Sequence, residues 1–487
     1  MSTECASGPR LSLAGLADEL GIQPPRGAEA IRIHKVREDS RRIEPGDVFV
    51  AIPGTHDNGA SYVADAVRRG AVAILSPSPE PAADVPILQV EDARQYAALA
   101  AAYVEGHPTR NLLTIGVTGT NGKTTVCHLA AQILGEDQTT IIGTVANVAR
   151  GMPSVTTPPA ETIQRIARES VSRGQRNLLI EASSIGIEQS RVAAVDFDIA
   201  AFTHLSHDHL DAHGSMEAYR QAKRRLFVDL APSAVAVVPK GDPDAERMVA
   251  GIDASVITHG GGDADLKVSD VRNTGTGFSF SVGWRGDRLA ATLPLPGRHN
   301  VDNAAAALGI SLVAGMELRQ AIERLAEVRP VAGRYEVLAD SRGTKAVIDY
   351  AHTPDALRRI LETLRPGAKH LTVVFGCQGG SDQLKRPLMG EIAGRLADRV
   401  ILTSDNPKSE DPMAILDQIA AGVRRGGGEP ERVVDRRVAI EASVAESRAG
   451  DVVLIAGKGH ETYQIIGAEF VPHSDRDVLA SMGFTSL

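Results

Sequence analysis

The sequence predicts an α/β protein of three domains. A chain of 487 residues is too long for one ordinary domain, and its 43% hydrophobic residues suffice for several packed cores. Short apolar runs alternate with helical stretches along the whole chain, as strands and helices do in α/β proteins. We predict domains at residues 1–110, 111–329 and 330–487.

The composition excludes several classes of protein. The net charge is −9 and no Lys/Arg-rich run stands out, which argues against a nucleic-acid binder. The three cysteines, Cys5, Cys127 and Cys377, are far apart and odd in number, as in a reduced cytosolic protein. Residues 1–20 lack the features of a signal peptide, and no apolar run is long enough to span a membrane. We therefore expect a soluble, cytoplasmic protein.

The first predicted domain is a small α/β domain. Apolar runs at 47–52, 72–75 and 86–90 alternate with alanine-rich helical stretches. Residues 106–109, Gly-His-Pro-Thr, form a plausible boundary.

The second predicted domain opens with an apolar strand at 112–117. A glycine-rich turn follows, and then a helix whose apolar positions lie on one face and which ends at Gly135. Runs at 178–180, 199–202 and 235–238 are further buried-strand candidates. This pattern predicts a P-loop ATPase-like domain with a parallel or mixed sheet.

The third predicted domain is Rossmann-like and doubly wound. Strand-like runs at 346–348, 371–375, 400–402 and 452–455 alternate with helical stretches such as 385–397. Its strands end in polar loops that contain glycine, where ligands bind in such folds.

Residues 119–125, Gly-Thr-Asn-Gly-Lys-Thr-Thr, carry the strongest chemical signal. Glycines let backbone N–H groups surround phosphates, and the helix N-terminus adds partial positive charge. Lys123 can reach the outer phosphates, and the Thr124 hydroxyl can ligate Mg²⁺. The general pattern has an earlier glycine where this chain has Val117.

Side chains further along the chain suit a metal beside this loop. Glu181 follows the run at 178–180, and a carboxylate at a strand's C-terminal end suits Mg²⁺. The four histidines within 204–213 match no zinc pattern and no cysteine joins them, so we expect His209 to bind Mg²⁺ or water. Lys223, taken alone, is typical of a surface lysine on a helix.

Ten motifs follow one another along the chain, and their order is far more specific than any one of them. They are Asp39–Arg41 with Pro45–Ala51, Gly119–Thr125, Glu181–Ser184, Leu205–Asp211, Gly297–Asn300, Gly333-Arg334, Asp349–Pro354, Lys385–Gly390, Asp405–Pro407 and Ala456–Glu461. In this order they resemble the Mur ligase family, and within it the group of UDP-N-acetylmuramoyl-tripeptide synthetases, over nearly the whole chain.

The resemblance implies three sets of binding residues. The ATP-binding set is Gly119, Thr120, Asn121, Gly122, Lys123, Thr124, Thr125, Asn300, Arg334, Asp349 and His352. The UDP-substrate set is Ser40, Thr55, His56, Asp57, Thr156, Thr157, Ser183, Gln189 and Arg191. The amino-acid set is Arg386, Asp405, Asn406, Pro407, Lys408, Gly457 and Glu461.

The resemblance also implies the catalytic group. Lys123, Glu181, His209 and Lys223 would carry the reaction, and Lys223 would be carbamylated to an anion. Thr124, Glu181, His209 and carbamylated Lys223 would then hold Mg²⁺.

The implied reaction is ATP-dependent amide-bond formation in peptidoglycan synthesis. The γ-carboxylate of UDP-N-acetylmuramoyl-L-alanyl-D-glutamate attacks the γ-phosphate of ATP, and the amine of a third amino acid displaces phosphate from the acyl phosphate. Small-molecule substrates, ATP, Mg²⁺ and a monomeric chain are expected.

The third amino acid is expected to be meso-2,6-diaminopimelate. Relatives that use it typically have Asp-Asn-Pro-Arg, whereas Lys408 keeps the charge but loses the two-pronged geometry. Residues 376–382, Gly-Cys-Gln-Gly-Gly-Ser-Asp, also differ from the usual Gly-Cys-Gly-Gly-Asp-Arg-Asp. Glu461 suits the distal ammonium of diaminopimelate, and Arg386 is retained. L-lysine, or a specialised ligase outside the cell wall, remains an alternative.

Other classes fit less well. Folylpolyglutamate synthetases share the phosphate loop but would not need the segment from Ser40 to Phe49 and lack Asp-Asn-Pro. The ligase that adds the next dipeptide is disfavoured by Asp405–Pro407 together with residues 457–461. A non-catalytic ATP-binding scaffold would not need Lys123, Glu181, His209 and Lys223 together.

Overall fold

The structure, a computed structural model, describes residues 11–54, 58–79, 84–152 and 155–486. Thr55, His56 and Asp57, which the sequence assigned to the UDP substrate, lie outside the described residues, as does Cys5.

The described residues form helices and strands throughout. The helices are α1 Leu13–Glu19, α2 Val63–Arg68, α3 Ala93–Glu105, α4 Lys123–Leu134, α5 Thr144–Ala149, α6 Ala160–Ser172, α7 Ser184–Glu188, α8 Leu210–His213, α9 Met216–Val228, α10 Pro243–Val249, α11 His299–Val313, α12 Leu318–Leu325, α13 Pro354–Leu364, α14 Lys385–Leu396, α15 Pro412–Arg425, α16 Arg436–Ala445 and α17 Asp475–Ser481. The strands are β1 Val36–Arg37, β2 Val48–Val50, β3 Ala73–Ser76, β4 Ile87–Gln89, β5 Leu113–Thr118, β6 Thr139–Ile142, β7 Asn177–Glu181, β8 Ile199–Phe202, β9 Val235–Pro239, β10 Ser255–Gly260, β11 Leu266–Asn273, β12 Phe278–Trp284, β13 Asp287–Leu293, β14 Glu336–Ala339, β15 Lys345–Asp349, β16 Leu371–Phe375, β17 Arg399–Leu402, β18 Pro430–Arg432, β19 Val452–Ala456, β20 Tyr463–Ile466, β21 Glu469–Pro472 and β22 Thr485–Ser486.

The chain divides into two compact units. Unit 1 consists of residues 1–116, 137–142 and 156–198, and unit 2 of residues 117–136, 143–155 and 199–487. The predicted domain boundaries after residues 110 and 329 stay a prediction.

Unit 1 contains a four-stranded parallel sheet in the order β1-β2-β3-β4. Helices α1 and α3 cover one face of it, where Leu13, Leu16 and Ala97 pack against Val48 and Leu75. Unit 1 also contains β6 and β7, which pair in parallel.

Unit 2 begins with the last residues of β5 and the helix α4 that follows. Its first run of neighbouring strands has the order β8-β9-β10-β11-β12-β13 and changes from parallel to antiparallel pairing after β11. The sequence analysis did not predict β10 to β13. The alternation of Phe278, Phe280, Val282 and Trp284 with small residues was the available signal, because these four side chains are buried.

A seven-stranded sheet in the order β18-β17-β16-β19-β15-β14-β22 completes unit 2, and the two-stranded hairpin β20-β21 lies outside it. The pairs from β18 to β15 are parallel. Val373 and Phe375 pack on helices α13 to α15, whereas Val374 between them packs with α16 and α17. Helices on both faces confirm the predicted doubly wound, Rossmann-like arrangement and the α/β class.

The carboxyl ends of four neighbouring parallel strands therefore lie at one edge of this sheet. The loops after β15, β16, β17 and β19 begin at Tyr350, Gly376, Thr403 and Gly457. Ligands bind at this edge in open parallel sheets, and it carries most residues that the sequence assigned to the incoming amino acid.

Candidate functional site

The phosphate loop has the predicted strand–turn–helix form. Strand β5 ends at Thr118, and helix α4 begins at Lys123 after Gly122, whose φ is 89°. Gly119 has a φ of 142°, and a Cβ atom there would overlap the Thr203 hydroxyl, so only glycine fits. The Lys123 amine donates hydrogen bonds to the carbonyls of Gly119 and Thr120, both at 2.8 Å.

The segment after β8 holds the loop in place. The Thr203 hydroxyl donates to the Asn121 carbonyl at 2.6 Å, and the Thr120 amide donates to the His204 carbonyl at 2.8 Å. The Ser206 amide donates to the Thr120 hydroxyl at 2.9 Å. These bonds tie the phosphate loop to the segment that follows β8.

Lys223 lies in the core of unit 2 rather than on its surface. It is 1% exposed, and its amine donates to the Gly119 carbonyl at 3.0 Å. The amine also lies 4.4 Å from the centre of the Tyr219 ring. Burial, and then the nearby Lys123 charge, lower the pKa of Lys223 well below its ordinary value. Both effects disfavour the protonated form of this amine.

The histidine segment is organised around a buried carboxylate. Asp208 accepts a hydrogen bond from the Lys385 amine at 3.3 Å, and its other oxygen lies 3.4 Å from His209 Nε2 and 3.8 Å from His352 Nε2. Burial opposes ionisation, yet Lys385 and the two histidines together hold the pKa of Asp208 below its ordinary value. Burial lowers the pKa of His209, and that of His352 to about 4.

A second pair ties the same segment to the loop after β16. His207 Nε2 lies 2.9 Å from one carboxylate oxygen of Asp382, whose other oxygen accepts from the Leu384 amide at the start of α14.

Within the described residues, no group of three or more His, Cys, Asp or Glu side chains is arranged to hold a metal ion.

A cavity of about 260 Å³ in unit 2 adjoins the phosphate loop. Six of the predicted ATP-binding residues line it, namely Asn121, Gly122, Thr125, Asn300, Arg334 and Asp349. The other four loop residues, Gly119, Thr120, Lys123 and Thr124, belong to the same turn. His352 is not among the residues that line the cavity, because its ring turns toward Asp208.

Arg334 connects this cavity to the phosphate loop. Its Nη2 atom donates to the Thr124 hydroxyl at 3.2 Å, and its guanidinium lies 4.3 Å from the centre of the Tyr350 ring. Burial raises the pKa of the neighbouring Asp349, although Arg334 opposes that shift. Asp349 also accepts a hydrogen bond from the Tyr335 amide at 2.8 Å.

Asn300 holds the start of helix α11 beside the same cavity. Its side-chain amide donates to the Pro296 carbonyl at 2.6 Å and its oxygen accepts from Asn303 at 3.0 Å.

Arg386 is fully buried and pairs with an acidic side chain of the protein itself, Glu410. Its two terminal nitrogens donate to the two oxygens of Glu410 at 2.8 and 3.1 Å. The Arg386 hydrogen bond lowers the pKa of Glu410. Lys408 has a positive φ of 53°, and its backbone N–H donates to the Ile465 carbonyl at 3.0 Å. The turn at 405–408 is therefore held against the hairpin β20-β21.

Lys458, which the sequence analysis did not single out, organises the rest of the predicted amino-acid site. Its buried amine donates to Glu461 at 2.7 Å and to Asn406 at 3.0 Å, and lies 3.8 Å from Asp405. Asn406 in turn donates to the same Glu461 oxygen at 3.1 Å. Gly457 is next to Asp405, since a Cβ atom there would lie 2.8 Å from its carboxylate. The structure therefore brings Asp405, Asn406, Gly457 and Glu461 together.

In unit 1, four of the predicted UDP-substrate residues form one cluster. The Thr157 hydroxyl donates to the Glu181 carbonyl at 2.6 Å and lies 2.9 Å from the Ser183 hydroxyl. Arg191 donates to the Thr157 carbonyl at 2.6 Å and to Gln189 at 2.5 Å. The sequence signal for this packing is Gly186, where a Cβ atom would collide with Thr157.

Thr156 and Ser40 are the other two predicted UDP-substrate residues that the structure describes in unit 1. Thr156 precedes this cluster in sequence, and buried Ser40 begins a short 3-10 helix. Burial raises the pKa of Glu38, two residues before Ser40, and the nearby Arg191 opposes that shift. Glu181 ends strand β7 with its side chain buried, and its role as a Mg²⁺ ligand stays a prediction.

Three family profiles match the chain in order. The Mur ligase family catalytic domain matches residues 32–105, the Mur ligase middle domain matches 117–311, and the Mur ligase glutamate ligase domain matches 333–459. A curated protein of Geobacillus thermodenitrificans, named UDP-N-acetylmuramoyl-L-alanyl-D-glutamate–2,6-diaminopimelate ligase, is 40% identical over 90% of this chain and 92% of its own length. The chain belongs to the Mur ligase family.

Other relatives of this Mur ligase carry the same name. The Chromobacterium violaceum protein is 40% identical over 91% of this chain and 92% of its own. A solved structure with this name covers 97% of this chain and 98% of its own at 32% identity and a TM-score of 0.68. The MurF ligase from Thermotoga maritima in complex with ADP shares the fold at 19% identity, with 92% and 96% coverage and a TM-score of 0.62.

No helix in the described part of this Mur ligase is both long and apolar enough to cross a bilayer.

Proposed function

We propose that this Mur ligase uses ATP to join UDP-N-acetylmuramoyl-L-alanyl-D-glutamate to meso-2,6-diaminopimelate in peptidoglycan synthesis. The observation that carries the proposal is the 40% identity, over nine-tenths of the chain, to ligases named for this reaction. The phosphate loop beside a cavity that six of the predicted ATP-binding residues line supports the ATP half of it.

The reaction needs an activated carboxylate. The γ-carboxylate attacks the γ-phosphorus of ATP, the bond to the bridging oxygen breaks, and ADP leaves with that electron pair. The amine of the third amino acid then attacks the acyl carbon, loses a proton and displaces inorganic phosphate. Lys123 and the N-terminus of α4 would offset the repulsion between carboxylate and triphosphate.

Mg²⁺ fits the residues at the start of α4. This ion is usually held by one or two carboxylates together with substrate phosphates, and in phosphate loops a hydroxyl at the position of Thr124 supplies one ligand. Bound there, Mg²⁺ would neutralise phosphate charge. The imidazole of His209 is a poorer ligand for this ion than an oxygen, and a contact through water suits it better.

We further propose that Lys223 is carbamylated. The unprotonated form of its amine would attack carbon dioxide, forming the carbamate and releasing a proton. Burial and the Lys123 charge favour this step, because both disfavour the protonated amine. The product places a negative charge beside Lys123, where a protonated amine would add a second positive one.

L-lysine is the second candidate for the third amino acid. The observation that favours it is the ion pair between Arg386 and Glu410. The Arg386 guanidinium is the group best suited to bind the distal carboxylate of diaminopimelate, and both of its terminal nitrogens already bond to Glu410. Lys408, the other nearby cation, can form only a point-charge contact with such a carboxylate. Diaminopimelate remains the first choice because the relatives at 40% identity are named for it.

We place the reaction in the cytoplasm, where ATP is present, and we expect a monomer. Light scattering behind gel filtration tests the oligomeric state.

An isotope-transfer experiment tests the mechanism. The γ-carboxylate of the UDP-dipeptide is labelled with a heavy oxygen isotope, and the released phosphate is analysed by mass spectrometry. Attack of the carboxylate on ATP predicts one labelled oxygen in each phosphate. Unlabelled phosphate released together with the ligated product would overturn the acyl-phosphate route.

A further inference from the structure

Two loops of unit 2 that bind different predicted ligands touch through their glycines. Gly333 precedes Arg334 of the nucleotide set, and Gly459 lies between Gly457 and Glu461 of the amino-acid set. A Cβ atom at Gly459 would lie 2.7 Å from the Gly333 carbonyl oxygen and 2.9 Å from Cβ of Tyr350. A Cβ atom at Gly333 would overlap the backbone N of His460. No side chain fits between these loops, so a shift of one must be felt by the other.

Tyr350 stands beside this contact with its ring between the two loops. The Arg334 guanidinium lies 4.3 Å from the ring centre, and the His460 ring lies 5.2 Å from it at an interplanar angle of 43°. A cation over an aromatic face and a packed ring pair each contribute about 1 kcal/mol, which is enough to bias a side-chain position.

His460 is held by this packing rather than by hydrogen bonds. Both of its ring nitrogens are buried, and neither has a hydrogen-bond partner among the described residues. Burial and the nearby Arg334 charge lower the pKa of His460 to about 3, so its ring is neutral at neutral pH. A neutral ring can share the neighbourhood of Arg334 without charge repulsion.

The two ends of this stack lead to the two binding regions. Arg334 lines the cavity and donates to the Thr124 hydroxyl of the phosphate loop at 3.2 Å. His460 directly precedes Glu461, which is bonded to Lys458. Burial raises the pKa of Tyr350, and the charges of Glu461 and Asp405 raise it further, so the phenol also senses the amino-acid loop.

We propose that Tyr350 is a positioning residue that couples nucleotide binding at Arg334 to amino-acid binding at Gly457 and Glu461, with His460 as its partner in the stack. A nucleotide that fixes Arg334 also fixes the Tyr350 ring and, through His460, the loop that ends at Glu461. Such coupling is reciprocal, so the amino acid strengthens nucleotide binding by the same factor. The inference rests on the proposed function for the identity of the two ligands.

A binding cycle tests the proposal on the full chain. The dissociation constant of a non-hydrolysable ATP analogue is measured by calorimetry with and without diaminopimelate, in the presence of the UDP-dipeptide and Mg²⁺. We expect the amino acid to tighten analogue binding by about fivefold or more in the unaltered protein and in Tyr350→Phe, which keeps the ring. In Tyr350→Leu the factor should fall to about one.

His460→Leu provides the second variant, because His460 does not line the cavity. It should also lose the coupling factor while keeping the affinity of the analogue alone. An undiminished factor in both leucine variants, or no coupling in the unaltered protein, would overturn the proposal. A Tyr350→Phe variant as uncoupled as Tyr350→Leu would overturn the role of the ring.

If diaminopimelate is not the substrate, the experiment gives a result that differs from a loss of coupling. If the unaltered protein does not bind diaminopimelate, the same cycle is run with L-lysine. The coupling factor with lysine then decides the positioning role of Tyr350 separately.

Discussion

At the scale of single residues, the surroundings of a side chain decide its chemistry. Lys223 shows this most clearly. Its sequence context is typical of an exposed lysine on a helix, and only the resemblance to other Mur ligases pointed to a special role. The structure buries it against Gly119, which lies 104 residues earlier in the chain. No local pattern reports a contact at that separation.

Partners distant in sequence explain the other residues that the sequence analysis missed. Lys458 bonds to Asn406 across 52 residues, and Lys385 bonds to Asp208 across 177. Each of these lysines looks like an ordinary surface cation until the loops at the edge of the sheet are brought together. The motifs predicted which loops matter, whereas the pairing between them required the fold.

Removal of the Lys223 amine should abolish activity, and an added small molecule should partly restore it. We expect Lys223→Ala to lose nearly all ligase activity, because the carbamate is lost from beside Lys123. A short carboxylic acid added to the assay should restore part of the activity by supplying the missing negative charge. The measurement is ADP formation with and without the acid. Full activity of the variant without the acid would remove the carbamate from the mechanism.

Buried histidines should make the stability of this Mur ligase depend on pH. His259 is 3% exposed, and burial lowers its pKa from the ordinary 6.5 to about 4. As pH falls from about 6.5 to about 4, the unfolded chain binds a proton at this site and the folded chain does not. The free energy of unfolding should therefore fall over this range, by about 3 kcal/mol for His259 alone.

The variant His259→Gln isolates this contribution. Denaturant unfolding at several pH values should show a pH dependence that is smaller by about that amount. An unchanged dependence would mean that His259 is protonated in the folded protein.

At the scale of secondary-structure elements, the buried parallel strands were the best predicted parts. The run at 371–375 became β16 with the same bounds, and 199–202 became β8. Both strands are apolar on two faces and are followed by polar or glycine residues, so their ends are sharp in sequence. The antiparallel strands β11 to β13 were missed because their exposed faces dilute the apolar signal.

The turn between β5 and α4 should depend on the absence of a side chain at Gly119. We expect Gly119→Ala to weaken ATP-analogue binding by more than about tenfold, because its Cβ would displace Thr203 and distort the loop. Gly315→Ala is the matched control. Gly315 also has a positive φ, 93°, but a Cβ atom there would meet open space. Equal loss of binding in both variants would contradict a specific role for the Gly119–Thr203 contact.

The packing of helix α16 should be stabilised by a buried ion pair at its first residue, Arg436. Arg436 and Asp475 are both fully buried and form two hydrogen bonds at 2.8 and 2.7 Å. Arg436 also donates to the carbonyls of Ser404 and Ala456, at the ends of two strands. Despite burial, Arg436 and His473 hold the pKa of Asp475 below its ordinary value.

Breaking that pair should cost stability. We expect Asp475→Asn to lower the free energy of unfolding by about 3–5 kcal/mol, because the Arg436 charge stays buried without its partner. Asp477→Asn, an exposed position on the same helix, should change it by no more than about 0.5 kcal/mol. Denaturant unfolding measures the free energy of unfolding of both variants. Equal effects would contradict a stabilising role for the buried ion pair between Arg436 and Asp475.

At the scale of the whole molecule, the order of motifs along the chain predicted the family and the α/β class. Six of the positions that the sequence assigned to the nucleotide line one cavity, and their binding of a nucleotide stays a prediction. It could not predict that His352 turns toward Asp208, or that Arg386 pairs with Glu410, because both depend on packing between distant segments. The choice of amino acid depends on those same contacts.

The most direct test of the account is the choice of the third amino acid. Phosphate release is measured with ATP, Mg²⁺ and UDP-N-acetylmuramoyl-L-alanyl-D-glutamate, with meso-2,6-diaminopimelate and L-lysine compared at equal concentrations. The account predicts a kcat/KM for diaminopimelate at least about tenfold above that for lysine, one charge-assisted contact being worth about 1.4 kcal/mol or more. Preference for lysine, or no release with either amino acid, would contradict it.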